Sequence, residues 1–229
     1  MKKAVVSFAL GDKHSNLLQI ALPSFYKYAT KHNYDLFLPS CQKVKEICTL
    51  FDWNHDRSAS WLKIPILKYL LKIEKYDLVL WLDSDIIINK TSQDIFDGFY
   101  ESPYIQGLVF HKSPSINFDV PNCGVWVLKQ ECISLLDDVW NNNNSINPSW
   151  WEQGSLIDLM FRNPITKEKK DLFEKTCQLP FTYNVHLHDK RYNENSENDG
   201  IILHATMHED MVSKMKVWAN SIDKEQYAI

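Results

Sequence analysis

Two carboxylates stand one residue apart in the stretch YDLVLWLDSDIIINK, residues 76–90, at Asp83 and Asp85. Side chains two residues apart in an extended segment project to the same side. Carboxylate oxygens suit Mg2+ or Mn2+, and those ions suit phosphate oxygens. One aspartate can hold such an ion directly while the other holds its water or a sugar hydroxyl. Asp-x-Asp by itself is common in loops. Here the strand-like run 77–82 precedes the pair and Ile86-Ile87-Ile88 follows it. Burying carboxylates beside such segments is costly unless a cation compensates. In IILHATMH, residues 201–208, His204 closes an apolar run much as Asp83 does. Imidazole is a common metal ligand, so Asp83, Asp85 and His204 form the candidate metal set.

The elements that must position these groups follow from apolar spacing. KAVVSFAL (3–10) predicts a buried strand closing at Gly11-Asp12. Residues 14–32 predict a helix, with Leu17, Leu18, Ala21, Phe25, Tyr28 and Ala29 near helical spacing. Pro23 marks a kink or a new start within it. YDLFLPS (34–40) predicts a second strand, and residues 41–59 a loop or short helix. Residues 60–76 predict a helix capped by Ser60, with Pro65 in about its first turn. Residues 77–82 predict the third strand. The order β-α-β-α-β implies an α/β domain with a mainly parallel, Rossmann-like sheet. Ligands in such sheets sit beyond the carboxyl ends of strands, where Asp83 and Asp85 fall.

Further along, DIFDG predicts a turn or short helix. Strands are expected at 104–110 and 123–129, around a loop rich in Pro, Ser and Asn. Helices are expected over 130–140, within 150–162 and over 209–220, with a surface loop at NNNN and a late strand in 200–208. No repeat or linker divides the chain, so one domain is expected over 1–229.

The 229 residues are 45% hydrophobic with eight Trp, enough for a sizeable core. A net charge of −4 gives no support for nucleic acid or an anionic membrane as partner. The short run KEKK (167–170) reads as a solvated helix face. The five Cys lack CxxC spacing, which argues against zinc and for free thiols in a reducing compartment. No secretion signal and no transmembrane run are apparent. The expectation is a soluble cytoplasmic protein, in which the sequons at Asn89 and Asn143 carry no meaning.

The stretch SWLKIPILKYLLKIEKYDLVLWLDSDIIINKTSQDI resembles the donor-binding half of GT-A glycosyltransferases. It is most similar to the galactosyl/xylosyltransferases of glycosyltransferase family 34. The family pattern Trp-x-Lys-x-Pro-x-Leu is matched by Trp61, Lys63, Pro65 and Leu67. Its Trp-x-Asp-Ser-Asp is matched by Trp81, Asp83, Ser84 and Asp85. NCGVWVLKQ, WWEQGSLIDLM, LPFTYNVHLHD and GIILHATMH match further family segments in order.

The resemblance implies a single GT-A domain, with residues 1–110 as the nucleotide-binding half and 111–229 as the acceptor and sugar half. It implies a retaining transferase that uses a UDP-hexose or UDP-pentose and a glycan or glycolipid acceptor. Asp83, Asp85 and His204 would hold Mn2+ or Mg2+ against the donor diphosphate. Ser7, Ala9, Leu10 and Gly11 would contact the nucleoside, and Lys63 and Ser84 would lie near the donor. Asn122 and Gly124 would shape the sugar pocket. Glu152 and Gln153 would lie by the anomeric centre, as the catalytic pair. Trp150 and Trp151 could stack on a sugar or join the core.

The chain departs from the family in two places. The family's Lys a few residues after the closing His is missing, which leaves His208, Lys214 or Lys216 to meet the diphosphate. Trp151-Glu152-Gln153 replaces Asp-Asp-Gln, with one acid fewer, so the sugar and the stereochemistry stay open. Inversion, with a deoxysugar donor among the possibilities, would need a base such as Glu152 or Asp119. The missing anchor implies a bacterial or viral enzyme, and the acceptor stays open. The rival readings are a haloacid-dehalogenase-type phosphatase, a nucleotidyltransferase and a non-catalytic sugar-binding module. The first expects Gly-Thr after the Asp pair, and the second a Gly-rich basic loop after the first strand. The third has no need of Asp83, Asp85 and His204 together.

Overall fold

The computed structural model describes residues 1–113, 119–142, 150–163, 168–206 and 208–224. The first half holds β1 (Lys3–Val6), α1 (Asp12–His32), β2 (Asp35–Phe37), α2 (Cys41–Leu50) and α3 (Ala59–Lys72). It continues through β3 (Leu78–Leu82), β4 (Ile86–Ile88) and β5 (Gln106–Lys112). Then come β6 (Asp119–Lys129), α4 (Ile133–Asn141), α5 (Trp151–Met160), β7 (Phe161–Asn163) and β8 (Glu168–Lys169). The chain ends with α6 (Asp171–Glu174), β9 (Thr176–Leu179), α7 (Ser196–Asp199), β10 (Ile202–His204) and α8 (Met211–Lys224).

The central sheet has the order β2-β1-β3-β6-β5-β9. Only β6 runs against its neighbours; the other pairings in the sheet, β1 with β2, β1 with β3 and β5 with β9, are parallel. The expected α/β, mainly parallel architecture is therefore present. β3 is buried on both faces, so it reads as a continuous apolar run. Val79 and Trp81 enter the layer shared with Leu62, Ile66 and Leu136 of α3 and α4. Leu78, Leu80 and Leu82 enter the opposite layer, with Leu17 and Phe25 of α1 and Met215 and Trp218 of α8.

Several expected boundaries are corrected. The first strand stops at Val6; Ser7 N still donates to Phe37 O at 3.3 Å, and the chain then turns into α1. Pro23 lies inside an unbroken α1, where both Pro23 and Gln19, whose carbonyl loses its donor, face solvent. Of the two readings of 41–59, the short helix holds for α2, capped by Ser40 Oγ, which accepts from Lys43 N. Ser60 is not a cap: α3 begins at Ala59 after Ser58, and Pro65 sits well inside the helix. KEKK is no helix face, because Glu168 and Lys169 pair with β7 in a small ribbon. Much of NNNN, the sequon Asn143 and part of the loop after β5 fall outside the described residues.

Two irregularities position the site. Opposite β5, the register jumps from Leu108↔Trp126 to Val109↔Asn122, so Cys123–Val125 bulge out of that pairing. Bulges re-aim side chains and recur beside active sites. Beyond β3, the ribbon of β4 and β10 pairs Ile86 with His204, and Ala205 N donates to Asp85 O at 2.8 Å. Residues far apart in sequence thus meet at the end of β3.

Candidate active site

Asp83, Asp85 and His204 converge so that one ligand atom from each lies within 4.8 Å of the others. His204 Nε2 faces Asp85 Oδ1 at 3.3 Å. Burial lowers the basicity of His204, but the Asp85 carboxylate outweighs it and the pKa is raised. Burial pushes Asp85 up, yet His204 brings it below the usual carboxylate range. Two carboxylates and one imidazole closing on one point fit a divalent cation: the oxygens suit Mg2+ or Mn2+, and the nitrogen shifts the balance from Mg2+ towards Mn2+.

Asp83 is held from both sides. Its backbone N donates to Gly124 O at 2.9 Å, and its Oδ1 accepts from Trp81 Nε1 at 2.6 Å and Lys63 Nζ at 3.0 Å. Lys63 is only 3% exposed, and its ammonium also meets Cys123 O at 3.1 Å and Glu152 Oε1 at 2.8 Å. Burial would discharge this lysine, but Asp83 and Glu152 more than offset it, so its pKa rises. Burial pushes Glu152 upward, against the pull of Lys63. Glu152 Oε2 is buried without a hydrogen-bond partner. Gln153 Oε1 accepts from Cys123 N at 3.2 Å, tying the start of α5 to the β6 bulge.

Asn122 and Gly124 stand on the other side of that bulge. Asn122 Oδ1 accepts from Gly124 N and from Asn184 Nδ2, each at 2.8 Å. A Cβ on Gly124 would lie 2.4 Å from His204 Cε1, so only glycine fits there. Ser84 is buried and its Oγ lies 3.2 Å from His14 Nδ1. His14 was not anticipated; its only sequence signal is its place just after the Gly11 turn. Ser7, just past β1, is 0% exposed, and its hydroxyl has no hydrogen-bond partner. Leu10 and Gly11 are exposed beyond β1 and Ala9 is partly so.

Trp150 packs partly buried on the core, whereas Trp151 is 49% exposed with φ 48. That left-handed conformation is unusual for a bulky residue and recurs where function constrains the backbone. His208 packs edge-on against Trp218, and its Nε2 is buried without a partner. Lys214 is engaged by Glu197 at 2.6 Å. Lys216 lines a separate crevice with Gln19 and Lys27. Asp119 is exposed opposite Lys112 at the start of β6. A cavity of about 660 Å3 lies between His188 and the start of α8, with His208, Glu209 and Lys214 on its wall.

A second polar cluster was also missed. Asp189 accepts from His111 Nδ1 at 2.9 Å, from Lys112 N at 3.0 Å and from Arg191 Nη2 at 2.7 Å. The ring of His186 lies 3.7 Å from that of His111 and 6.2 Å, edge-on, from that of His204. These residues look like ordinary loop polarity in LHDKR, and only the return of the loop onto β5 joins them.

This arrangement is the GT-A glycosyltransferase fold. A glycosyltransferase involved in the glycosylation of the major capsid of PBCV-1 matches at a TM-score of 0.65, with 15% identity over 96% of this chain and 100% of that one. The galactosyltransferase LgtC, solved with donor and acceptor sugar analogs, matches at 0.51, with 12% identity over 95% of each chain. GlyE of Streptococcus pneumoniae TIGR4 matches at 0.59 and 14% identity over 100% of this chain, which spans 64% of GlyE. No family model matches the sequence, and no curated protein does. Among the described residues, no helix is long and apolar enough to cross a membrane.

Proposed function

We propose that this protein is a metal-dependent glycosyltransferase that moves a hexose or pentose from a UDP-sugar to a hydroxyl of a glycan or glycolipid, with retention of configuration. The convergence of Asp83, Asp85 and His204 at the end of β3 carries this reading. The glycosyltransferase fold supports it, and so does the buried Lys63 beside Asp83.

A divalent cation, if bound, would be held by Asp83, Asp85 and His204 and would supply Lewis-acid stabilisation to the diphosphate. The chain's own residues do the rest. Lys63 fixes the Asp83 carboxylate and adds positive charge near the leaving group, where electrostatic stabilisation counts most. Leu10, Gly11 and the residues around Ser84 receive the nucleotide. Asn122, Gly124, Glu152 and Gln153 surround the sugar, and the unpartnered Oε2 of Glu152 is an acceptor for a sugar hydroxyl. The bond between the anomeric carbon and the diphosphate oxygen breaks, and the acceptor oxygen forms the new bond. Its proton passes to a phosphate oxygen of the departing UDP. The retaining reading rests on the resemblance of the sequence to the family 34 transferases; Glu152 is buried with its Oε1 held by Lys63.

The test is a thermal-shift titration with UDP and with GDP, each with and without Mn2+. A ligand bound only by the folded state raises stability by RT ln(1 + [L]/Kd). UDP with Mn2+ should raise the melting temperature, and Asp85→Ala and His204→Ala should abolish the rise while staying folded. No shift with either nucleotide would sink this reading in favour of a non-catalytic sugar-binding module.

A further inference from the structure

We propose that Asn184 and Asn122 are positioning residues that fix the tautomer of His204, and that the backbone N–H of Gly124 sets the polarity of the whole relay. The inference rests on the metal-dependent reading above and adds residues to it.

The deduction starts from a group whose role is unambiguous. A backbone N–H can only donate, and that of Gly124 meets Asn122 at 2.8 Å. The Asn122 atom there is therefore the amide oxygen. Asn184 reaches the same oxygen at 2.8 Å and must do so with its nitrogen, Nδ2. A primary amide with its nitrogen committed on one side presents its oxygen on the other. Asn184 Oδ1 lies 2.9 Å from His204 Nδ1. A carbonyl oxygen only accepts, so Nδ1 of His204 carries a proton. Asp85 Oδ1 faces Nε2 at 3.3 Å and draws a proton there in the charged ring; in the neutral ring that keeps Nδ1–H, the lone pair belongs to Nε2, where a cation would take the place of the proton. The opposite tautomer would present an N–H, not a lone pair, to a cation.

The surroundings protect the relay. Asn184 and His204 are both buried, so water does not compete for the bonds. His204 N donates to Val185 O at 2.9 Å, which locks the strand carrying His204 to the residue after Asn184. A Cβ on Gly124 would lie 2.9 Å from Asn122 Oδ1 as well as against His204. Gly124 also accepts from Asp83 N at 2.9 Å. One residue thus orients the metal set from two sides: the Gly124 carbonyl holds Asp83, and its N–H acts on His204 through two side-chain amides. Partners of this kind tune metal sites by fixing the ring and its tautomer.

The experiment uses the whole chain labelled with [15N]histidine, metal-free and alkaline to the imidazole titration, with the His204 signal assigned by its loss in His204→Gln. Wild type should show a hydrogen-bonded Nδ1–H. Asn184→Asp, whose carboxylate also only accepts, should keep it, and Asn184→Leu should lose it. Calorimetry with Mn2+ should show Asn184→Leu weakened by about 10–100-fold, and Asn184→Asp binding at least as tightly as wild type. A wild-type proton on Nε2 would overturn the relay by itself, even if Asn184→Leu failed to fold. A folded Asn184→Leu with unchanged Mn2+ affinity would overturn its role. A wild type that keeps the Nδ1–H but binds no Mn2+ would support the relay and overturn the metal reading beneath it.

Discussion

Lys63 and Glu152 meet at 2.8 Å, Nζ to Oε1, with both side chains buried, and the same ammonium lies 3.0 Å from Asp83 Oδ1. One cation therefore joins α3, the start of α5 and the end of β3. Removing it strands two carboxylates. Breaking a buried pair on one side costs about 3–5 kcal/mol. Lys63→Met is expected to lower stability by about that much, read as the urea midpoint. Glu152→Gln leaves an acceptor for Lys63 and is expected to cost less.

Stability should fall on mild acidification. His186 is driven down to about 2, first by burial and then by His111 and His204. Burial also lowers His111, against the pull of Asp189. The other charges facing this pair are Arg191 and His188. The unfolded chain binds protons on these imidazoles near pH 6.5, about the usual value, while the folded chain refuses them. Stability therefore rises with pH across that window and is lost as pH falls below 6.5, for His186 down towards 2, by up to about 1.4 kcal/mol per unit per group. Melting temperatures from pH 7.5 to 5 should drop, and His186→Asn should flatten the slope. A pH-independent melting point over that range would refute the account.

Gly124→Ala should damage the site more than the fold. Its Cβ would meet His204 Cε1 at 2.4 Å, and the ring has no room to keep its place beside Asp85. The expected outcome is an unchanged far-ultraviolet dichroism spectrum with Mn2+ binding weakened at least about tenfold, the lower range for displaced ligand support.

Trp151 holds φ 48, so its side chain works against its backbone. A left-handed residue costs about 1–2 kcal/mol unless it is glycine. Trp151→Gly should be more stable than Trp151→Ala by about 1 kcal/mol, measured by denaturant unfolding. Equal stabilities would mean that the backbone relaxes when the indole is removed.

Much of the fold could be read directly from residues 1–90. The apolar runs around β1, β2 and β3 alternate with the helical spacing of α1 and α3, and the two helices are long enough to show their period. The short later elements were harder. β9 is four residues with an irregular burial pattern, and β7 and β8 are shorter still. Such segments become strands because a neighbour supplies hydrogen bonds, not because their own pattern demands it. The cap expected at Ser60 differs for a related reason: Ser58 and Ser60 are alike in type, and only backbone geometry chooses between them.

By itself, the sequence determined that two carboxylates follow a buried strand and that a histidine ends another, because burial and strand period are local properties of the chain. It also placed Lys63 and the Trp150–Gln153 stretch among the candidates through ordered likeness to known transferases. Only the tertiary structure decided which groups share a site. It joined Lys63 to Glu152, separated Trp150 from Trp151 and buried the Ser7 hydroxyl. It assembled the relay from Gly124 through Asn122 and Asn184 to His204. Those relations depend on a bulge, a return loop and an antiparallel ribbon that bring distant residues within hydrogen-bonding reach, and no local spacing encodes a distance across the fold.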